Sequence, residues 1–332
     1  MSRHNLCIAV AIVVVVSCFA FVGCGKRGPE PPPPAPAGSE TKAAAPGKIF
    51  TIGMSQCNLG EPWREQMNAD LATEAAKHPE IKMIFKDAQN KTEDQQTQVR
   101  EFIAQGVDLI IISPKESVPL TKPVGEAMDK GIPVIVLDRA IEGDKYTCFI
   151  GADNVKIGRE AGKEMVKLLG GKGNVVELKG LMTSTPGQDR HNGFMEGIKG
   201  SDIKVIFDAD CAWLQDHAQN EMKSALSRFD KIDGVFGAND PSAYGAYNAA
   251  KQEGKGREKT IRFVGVDSLP KEGVQYVKSG YLQATLQYPT CAPEAIDAAL
   301  KILNKQPVEK KITLGTRLFT NENAEKGGEE IP

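Results

Sequence analysis

From Lys48 to the C-terminus, short apolar runs rich in β-forming residues alternate with segments of helical spacing. Trp63, Met67, Leu71 and Ala75 show that helical spacing in the first such segment. Strand followed by helix, repeated roughly every 25 to 30 residues, is typical of parallel sheets covered on both faces. Ten strand candidates fit the pattern: Ile49–Met54, Ile81–Phe85, Val107–Ile112, Ile132–Leu137, Thr147–Ile150, Asn174–Leu178, Ile203–Phe207, Gly234–Gly237, Ile261–Val266 and Leu282–Leu286.

Ten strands in a body of about 280 residues are too many for one ordinary sheet of this kind. The sequence therefore predicts an α/β fold with two doubly wound, Rossmann-like lobes. After residue 23, no stretch approaches the ~18 apolar residues that a membrane span needs. The charge, with 41 Lys and Arg against 43 Asp and Glu, is too balanced for a nucleic-acid binder.

The N-terminus carries an unbroken apolar run, Leu6–Val22, which is too short and too near the start to belong to the fold. The run ends in Phe21-Val22-Gly23-Cys24, which resembles a bacterial lipoprotein signal with lipid on Cys24. Val15-Val16-Ser17-Cys18 is a competing match, but apolar residues follow it, whereas Gly25-Lys26-Arg27 follows Cys24. An uncleaved anchor helix is the alternative, and it gives the same topology.

Residues 25–47 contain seven prolines, including Pro31 to Pro34. Such a segment is expected to form a stiff tether of up to roughly 70 Å, at about 3.1 Å per residue. We therefore divide the precursor into a signal peptide (1–23), a lipidated cysteine with its tether (24–47) and a body. The body is expected on the periplasmic or cell-surface side, anchored to a membrane through Cys24.

Four cysteines remain in the body, without CxxC or metal-ligand spacing: Cys57, Cys148, Cys211 and Cys291. Four thiols allow three pairings, which the sequence does not rank. We expect them to be buried small hydrophobes rather than ligands.

Polar residues follow the carboxyl end of nearly every predicted strand, where open α/β sheets bind ligands. Ser55, Ser113 and Asp138-Arg139 do so in the first half of the body, and Asn239-Asp240 and Asp267 do so in the second. At any single position, capping of the next helix is an alternative explanation. Capping does not require Arg139 beside Asp138, so a binding cleft is favoured.

The chain has only two tryptophans, and both fall at such positions. Trp63 opens the first helix, and Trp213 lies in the loop after Ile203–Phe207. An indole offers a flat platform to the C–H face of a sugar ring, while carboxylates, amides and arginines bind the hydroxyls. The alternative is that each tryptophan merely packs its helix onto the body.

Six segments of the body form a recognisable set of motifs: Asp87-Ala88-Gln89-Asn90, Gly106–Pro114, Gly131–Arg139, Gly151-Ala152-Asp153-Asn154, Ala238-Asn239-Asp240 and Val264-Gly265-Val266-Asp267. Together they resemble the ribose-binding branch of the periplasmic sugar-binding proteins of ABC transporters. The resemblance spans about Lys48 to Lys311 and implies two lobes, joined by three crossovers, that enclose a sugar. It places the lobes at 48–153 plus 288–314 and at 154–287 plus 315–332.

The same resemblance implies roles for individual residues. Asp138 and Arg139 match the pair that holds the ring oxygen and hydroxyls, and Asn239 and Asp267 match polar groups of the far lobe. The remaining matches are a first-strand serine, a glutamine near the last crossover and two stacking positions that usually hold Phe: Ser55, Gln287, Trp63 and Trp213.

Three positions depart from the ribose-binding pattern. Gln188, followed by Asp189-Arg190, stands where an arginine is usual, Glu61 replaces an asparagine, and Arg64 replaces an aromatic residue. The altered polar set predicts a sugar-like ligand that need not be ribose. An added carboxylate and a lost arginine are expected to make the site more negative and to disfavour sugar phosphates, although Arg64 offsets this.

No enzyme motif is found: the four histidines pair with no serine or cysteine at a known motif, and no P-loop or GxGxxG occurs. We expect a monomer without metal or cofactor that passes a monosaccharide or sugar-like molecule to an ABC transporter permease. The alternative is a sensory receptor that presents a sugar-like signal, such as a furanosyl autoinducer, to a chemoreceptor or kinase. A lactose-repressor-like regulator is set aside, because a signal and tether precede the body where a DNA-binding helix pair would stand.

Overall fold

The computed structural model describes residues 48–332. The signal peptide, Cys24 and the proline-rich tether lie outside the described residues. Thirteen strands are present in the described part of the chain: β1 Phe50–Gln56, β2 Ile81–Asp87, β3 Leu109–Ser113, β4 Val134–Leu137, β5 Cys148–Ala152, β6 Lys172–Lys179, β7 Asp202–Asp210, β8 Gly234–Gly237, β9 Arg262–Asp267, β10 Ala284–Gln287, β11 Lys311–Leu314, β12 Arg317–Thr320 and β13 Glu329–Glu330.

Helices separate most of these strands. Within the described residues there are nine α-helices and two short 3-10 helices, Arg257–Lys259 and Ala324–Lys326. The α-helices are α1 Pro62–Ala75, α2 Thr92–Gln105, α3 Ser117–Asp129, α4 Asn154–Leu169, α5 Thr185–Gly197, α6 Gln215–Arg228, α7 Asp240–Gln252, α8 Gly273–Lys278 and α9 Ala292–Leu303.

The strands form two sheets. The first has the order β11-β5-β4-β3-β1-β2 and is parallel throughout, and the second has the order β13-β12-β10-β9-β8-β6-β7. In the second sheet, β12 pairs antiparallel with both β10 and β13, and the remaining pairs are parallel. The chain passes between the sheets three times, after β5, after β10 and after β11. The predicted fold of two doubly wound lobes with three crossovers is confirmed.

Each sheet is covered on both faces, which explains its nearly continuous apolar strands. In β3, Leu109 and Ile111 join the apolar cluster of α1 and α9, whereas Ile110 and Ile112 join that of α2 and α3. We call the first sheet with α1, α2, α3 and α9 the first lobe, and the second sheet with α4 to α8 the second lobe. The exact boundaries given above remain a prediction.

Helices α4 and α5 pack backbone to backbone. A Cβ at Gly158 would overlap the Arg190 carbonyl, and one at Gly193 would overlap that of Val155. This close approach fixes the position of α5 beside the carboxyl edge of the second sheet. The helix therefore carries Arg190 to that edge.

The four cysteines of the body are buried and unpaired, as the sequence predicts for small apolar residues. Burial raises the pKa of the Cys148 thiol to about 11 and that of Cys211 to about 12. These thiols therefore stay protonated at neutral pH.

Over residues 48–332, no helix combines the length and apolar character that crossing a membrane requires.

Candidate functional site

A small cavity of about 20 Å³ lies where the carboxyl edges of the two sheets face each other. Both lobes contribute to its wall, with aromatic residues beside arginines and acids. Nine of the twelve residues predicted from the sequence line it, together with Pro186 and Tyr288: Glu61, Trp63, Arg64, Asp138, Arg139, Arg190, Trp213, Asn239 and Asp267.

On the first lobe, Arg64 of α1 and Asp138 after β4 form an ion pair whose side chains are each 4% exposed. Arg64 Nη2 lies 2.7 Å from Asp138 Oδ2, and Nη1 donates to Ser113 Oγ at 2.7 Å. Burial lowers the pKa of Arg64, but the charges of Asp138 and Glu61 and the hydrogen bond to Asp138 outweigh it and raise that pKa overall. The guanidinium is therefore a permanent charge in the wall.

On the second lobe, Arg190 of α5 is held from three sides. Its Nε donates to Asn154 Oδ1 at 2.9 Å, its Nη1 donates to the Ala238 carbonyl at 2.6 Å, and Nη1 also approaches Asp267 Oδ1 at 3.4 Å. Bonds to fixed backbone and amide groups leave the guanidinium little rotational freedom. The second lobe thus presents a preset cation to the cavity.

Asn239 combines the two roles that the sequence left open. Its Oδ1 accepts from Ser242 N at 3.0 Å and so caps α7, while its Nδ2 donates to the Trp213 carbonyl at 3.0 Å. Capping is therefore real at this position, and the same side chain also fixes the loop that carries Trp213.

The structure places one tryptophan on each side of the cavity. Trp63 meets the ring of Tyr288 edge-on at 5.5 Å between centroids, and its Nε1 donates to the Tyr288 carbonyl at 3.0 Å. The ring of Trp213 lies 5.6 Å from the guanidinium of Arg139 and 5.3 Å from that of Arg190. Both indoles are therefore held in place by packing and by neighbouring side chains.

Three nitrogen donors of the wall lack a hydrogen-bond partner among residues 48–332: Arg64 Nε, Arg139 Nε and Trp213 Nε1. All three are buried, where an unpaired donor is costly. The oxygen of a hydroxyl group can accept a hydrogen bond from such a donor, and its O–H can donate a hydrogen bond to a carboxylate. The wall therefore suits a polyhydroxylated molecule.

Strained backbone is concentrated at the same edge. Asp138, Trp213 and Asp267 have φ angles of 63°, 70° and 118°, in a range that side-chain-bearing residues rarely adopt. Such conformations persist where the surrounding structure enforces them, and they cluster at functional sites. No motif in the sequence signals them.

Asp267 has unusual acid–base behaviour. Burial raises its pKa to about 7, against the lowering effect of Arg190 and with further increases from Glu272, Glu61 and Asp138. Near neutral pH this carboxyl group therefore exists in both forms, and it donates as well as accepts a hydrogen bond.

Three residues predicted for the site are not brought to the cavity. Ser55 is buried against α2, where its hydroxyl donates to Gln98 Oε1 at 2.9 Å. Gln188 is exposed, and its amide donates to the Met182 carbonyl, because it lies two residues, or about 200° of helix, from Arg190. Gln287 lines a neighbouring groove instead.

The expectation of a more negative site needs correction. Arg190 reaches the cavity although Gln188 does not, so the second lobe still supplies an arginine. The wall holds three arginines against three acids, and one of those acids, Asp267, is only partly ionised near pH 7. The wall therefore carries no excess of negative charge.

Tyr288 is a wall residue that the sequence analysis missed. Its hydroxyl donates to the Asp138 carbonyl and accepts from Ala152 N, both at 3.3 Å, and its ring lies 5.1 Å from the Arg190 guanidinium. Its position two residues after the predicted strand Leu282–Leu286 was a usable signal. Pro186, in the first turn of α5, was missed as well.

Sites for other chemistry are not evident in the described part of the chain, where no group of three or more His, Cys, Asp or Glu side chains is placed to hold a metal. The polar groups of the wall bind one another rather than activating a nucleophile.

Comparisons with known proteins agree with this geometry. The periplasmic binding protein domain family matches residues 52–307. The ribose import binding protein of Bacillus subtilis is 31% identical over 275 residues, covering 82% of this chain and 88% of that protein. The galactofuranose-binding protein of Escherichia coli is 33% identical over 285 residues, covering 83% and 88%.

Among solved structures, the fructose-binding periplasmic domain of a hybrid two-component system is 43% identical, with a TM-score of 0.81. The match covers 84% of this chain and 93% of that domain. Two α/β lobes with three crossovers and a polar cavity between them define a binding protein of the periplasmic type. The chain belongs to the periplasmic binding protein family, as a type I periplasmic sugar-binding protein, and the relatives it matches are binding proteins rather than enzymes.

Proposed function

We propose that the chain captures a monosaccharide or sugar-like solute between its lobes and delivers it to the permease of an ABC transporter. One observation supports this above the others: arginines, acids and a tryptophan from each lobe line one buried cavity. The names of the relatives, which include ribose, galactofuranose and fructose, support the ligand class without selecting a sugar.

The energetics are sufficient for tight capture. A charge-assisted hydrogen bond in a dewatered cleft contributes about 1.5–3 kcal/mol. A handful of such bonds, after the cost of ordering, gives about −8 kcal/mol, or micromolar affinity. Stacking on Trp63 and Trp213 adds apolar contact from both sides.

Binding requires movement of the lobes. A cavity of about 20 Å³ has room for roughly one water molecule, and a monosaccharide is larger. Opening of the lobes exposes both halves of the site, and a sugar that contacts both halves then favours closure through its differential contacts. The closed shape is the form that a permease would recognise.

Lipid anchoring through Cys24 is part of the same proposal. The apolar run, the cysteine and the proline-rich segment after it are the sequence features that support it. A tether of this length would let a monomeric body work beside the membrane that holds its permease.

The test is a thermal-shift screen of the purified protein against pentoses, hexoses, polyols and furanosyl compounds, with amino acids and nucleosides as the opposing panel. We expect at least one sugar or polyol to raise the melting temperature, since a ligand that binds only the folded state stabilises it. A response confined to amino acids or nucleosides would overturn the ligand class.

A second candidate function is sensing, and the 43% identity to the fructose-binding domain of a hybrid two-component system favours it. In that case the closed form would be presented to a chemoreceptor or kinase rather than to a permease. Ligand-dependent binding of this protein to a purified permease separates the two, because a sensor would show none.

A further inference from the structure

Asp240 is a fully buried acid that lies next to the cavity but does not line it. It begins α7, and both of its carboxylate oxygens accept hydrogen bonds from uncharged donors. Oδ1 accepts from Thr285 Oγ1 at 2.6 Å, and Oδ2 accepts from the backbone N–H of Ser268 at 2.7 Å. None of these three residues lines the cavity, so the candidate site described above does not explain why a carboxylate is buried here.

The protein makes room for this carboxylate with two glycines. A Cβ at Gly265 would overlap Asp240 Oδ1, and a Cβ at Gly273 would overlap Oδ2. Gly265 lies in β9 and Gly273 begins α8, so the carboxylate is enclosed by the two ends of the loop between them. The site is therefore built around an acid at this position.

Burial also makes the ionised form of Asp240 energetically unfavourable. It raises the pKa of Asp240 well above its ordinary value, and the nearby Asp267 raises it further. A buried acid without a cationic partner is weak evidence for stability, since an apolar residue of similar size is often at least as stable there. Its presence is better explained by what it holds in place.

What it holds is the backbone of the Asp267 loop. Asp267 and the next residue, Ser268, have φ angles of 118° and 54°, two consecutive residues in a disfavoured range. The Ser268 N–H that Asp240 binds belongs to the peptide joining them. Ser268 Oγ also lies 3.1 Å from Thr285 Oγ1, which closes a network of three side chains behind that peptide.

We propose that Asp240 is a positioning residue for sugar binding, which acts by holding the Asp267–Ser268 peptide so that the Asp267 carboxyl group faces the cavity. This rests on the proposed function, with Asp267 as a ligand contact. Asp240 itself touches no ligand, so its effect on affinity passes through Asp267.

The experiment combines calorimetry with hydrogen exchange on the full-length chain, using the best sugar from the thermal-shift screen. The variants are Asp240→Ala, Asp240→Asn, Asp267→Ala and the Asp240→Ala/Asp267→Ala double variant. Asparagine is the conservative replacement, because its Oδ1 still accepts from Ser268 N–H and its Nδ2 donates to Thr285 Oγ1.

Asp233→Ala is the matched control for a general loss of stability in the second lobe. Asp233 Oδ2 also accepts a backbone N–H, that of Asn174 at 2.8 Å, but at the amino ends of the strands, away from the cavity. It is expected to lower the melting temperature without changing sugar affinity. Thr285→Val is a milder second variant, which carries the test if Asp240→Ala fails to fold.

We expect Asp240→Ala to weaken binding about tenfold and to speed amide exchange in the peptide that spans 267–272. Asp240→Asn is expected to stay within about threefold of the unmodified protein, and Asp240→Ala should change affinity less than about twofold when Asp267 is already Ala. Thr285→Val should shift affinity and exchange in the same directions by a smaller factor.

Two results would overturn the proposal: unchanged exchange at 267–272 in Asp240→Ala, or an equal loss of affinity with and without Asp267. If the unmodified protein binds no sugar, the proposed function fails. The exchange result then still decides whether Asp240 holds the loop.

Discussion

At the residue scale, Trp63 has two connected roles. It belongs to the apolar core and donates a hydrogen bond to the Tyr288 carbonyl, and it also lines the cavity. The sequence left packing and ligand contact as alternatives for this residue. The structure shows that packing is what holds the indole at the cavity wall.

Trp63→Ala is expected to weaken sugar binding at least tenfold, because it removes the stacking surface on the first lobe. It should also lower the melting temperature, since Trp→Ala in a core costs about 3–5 kcal/mol. Calorimetry and thermal melting measure the two effects separately. Trp63→Phe is the matched control: it keeps a ring and should retain most of the affinity. An Ala variant that folds and binds normally would show that Trp63 does not contact the ligand.

Asp267 predicts a pH dependence of stability. Its pKa is about 7 in the folded chain against an ordinary 3.8, so the folded chain holds this proton more tightly than the unfolded chain. The associated stabilisation is fully present below about pH 4 and is lost as the pH rises toward about 7. Asp267→Asn removes it without removing the side chain.

Melting curves between about pH 5 and about pH 7.5 measure this effect. The melting temperature of the unmodified protein should fall across that range by several degrees more than that of Asp267→Asn. Subtracting the two curves removes the contribution of distant titrating groups and leaves that of Asp267 together with its neighbour Asp240. Parallel curves would mean that Asp267 does not titrate between about pH 5 and about pH 7.5.

The direction of a side chain and the backbone angles at the site could not be predicted from the sequence. Residue type, position after a strand and the family resemblance together identified nine residues that line the cavity, out of the twelve proposed from the sequence. They did not separate Gln188 from Arg190, because two positions along a helix point in nearly opposite directions and the facing direction depends on how α5 packs. Nor did they indicate the positive φ angles of Asp138, Trp213 and Asp267, which depend on tertiary contacts.

At the element scale, two loops meet across the mouth of the cleft. Ala140 N, after β4 of the first lobe, donates to Thr185 Oγ1 of the second lobe at 2.9 Å. Ser117 N donates to the Thr183 carbonyl at 3.3 Å across the same gap. These bonds join the lobes directly, so they form only when the lobes are together.

Thr185→Val is therefore expected to weaken sugar affinity about threefold to tenfold, the value of one hydrogen bond that exists only in the closed form. Thr185→Ser keeps the hydroxyl acceptor and should bind like the unmodified protein. Calorimetry on the three proteins decides the point. Equal affinities for the Val and Ser variants would show that this bond does not contribute to closure.

Elements with strong internal signals were predictable from the sequence. All ten proposed strands occur, because each contains a run or an alternation of apolar, β-forming residues. Strands β11, β12 and β13 were not predicted, because they are short and partly exposed and contain charged residues such as Lys311 and Arg317. Their pairing depends on where the three crossovers deliver the chain, which local pattern does not encode.

At the scale of the whole molecule, the proposed capture of a sugar depends on a site to which both lobes contribute. Neither lobe alone carries the full set of groups: the first supplies Trp63, Arg64 and Asp138, and the second supplies Arg190, Trp213 and Asn239. Contacts to both lobes are what would make closure favourable when a sugar is present. A ligand held by one lobe would leave the equilibrium between open and closed forms unchanged.

Isothermal titration of the best sugar into the unmodified protein, Asp138→Ala and Asn239→Ala tests this account most directly, since each variant removes a polar group from a different lobe. We predict micromolar or tighter binding to the unmodified protein and at least a tenfold loss in each variant, with both variants folded by circular dichroism. Full affinity in either variant would contradict capture of the sugar between the lobes.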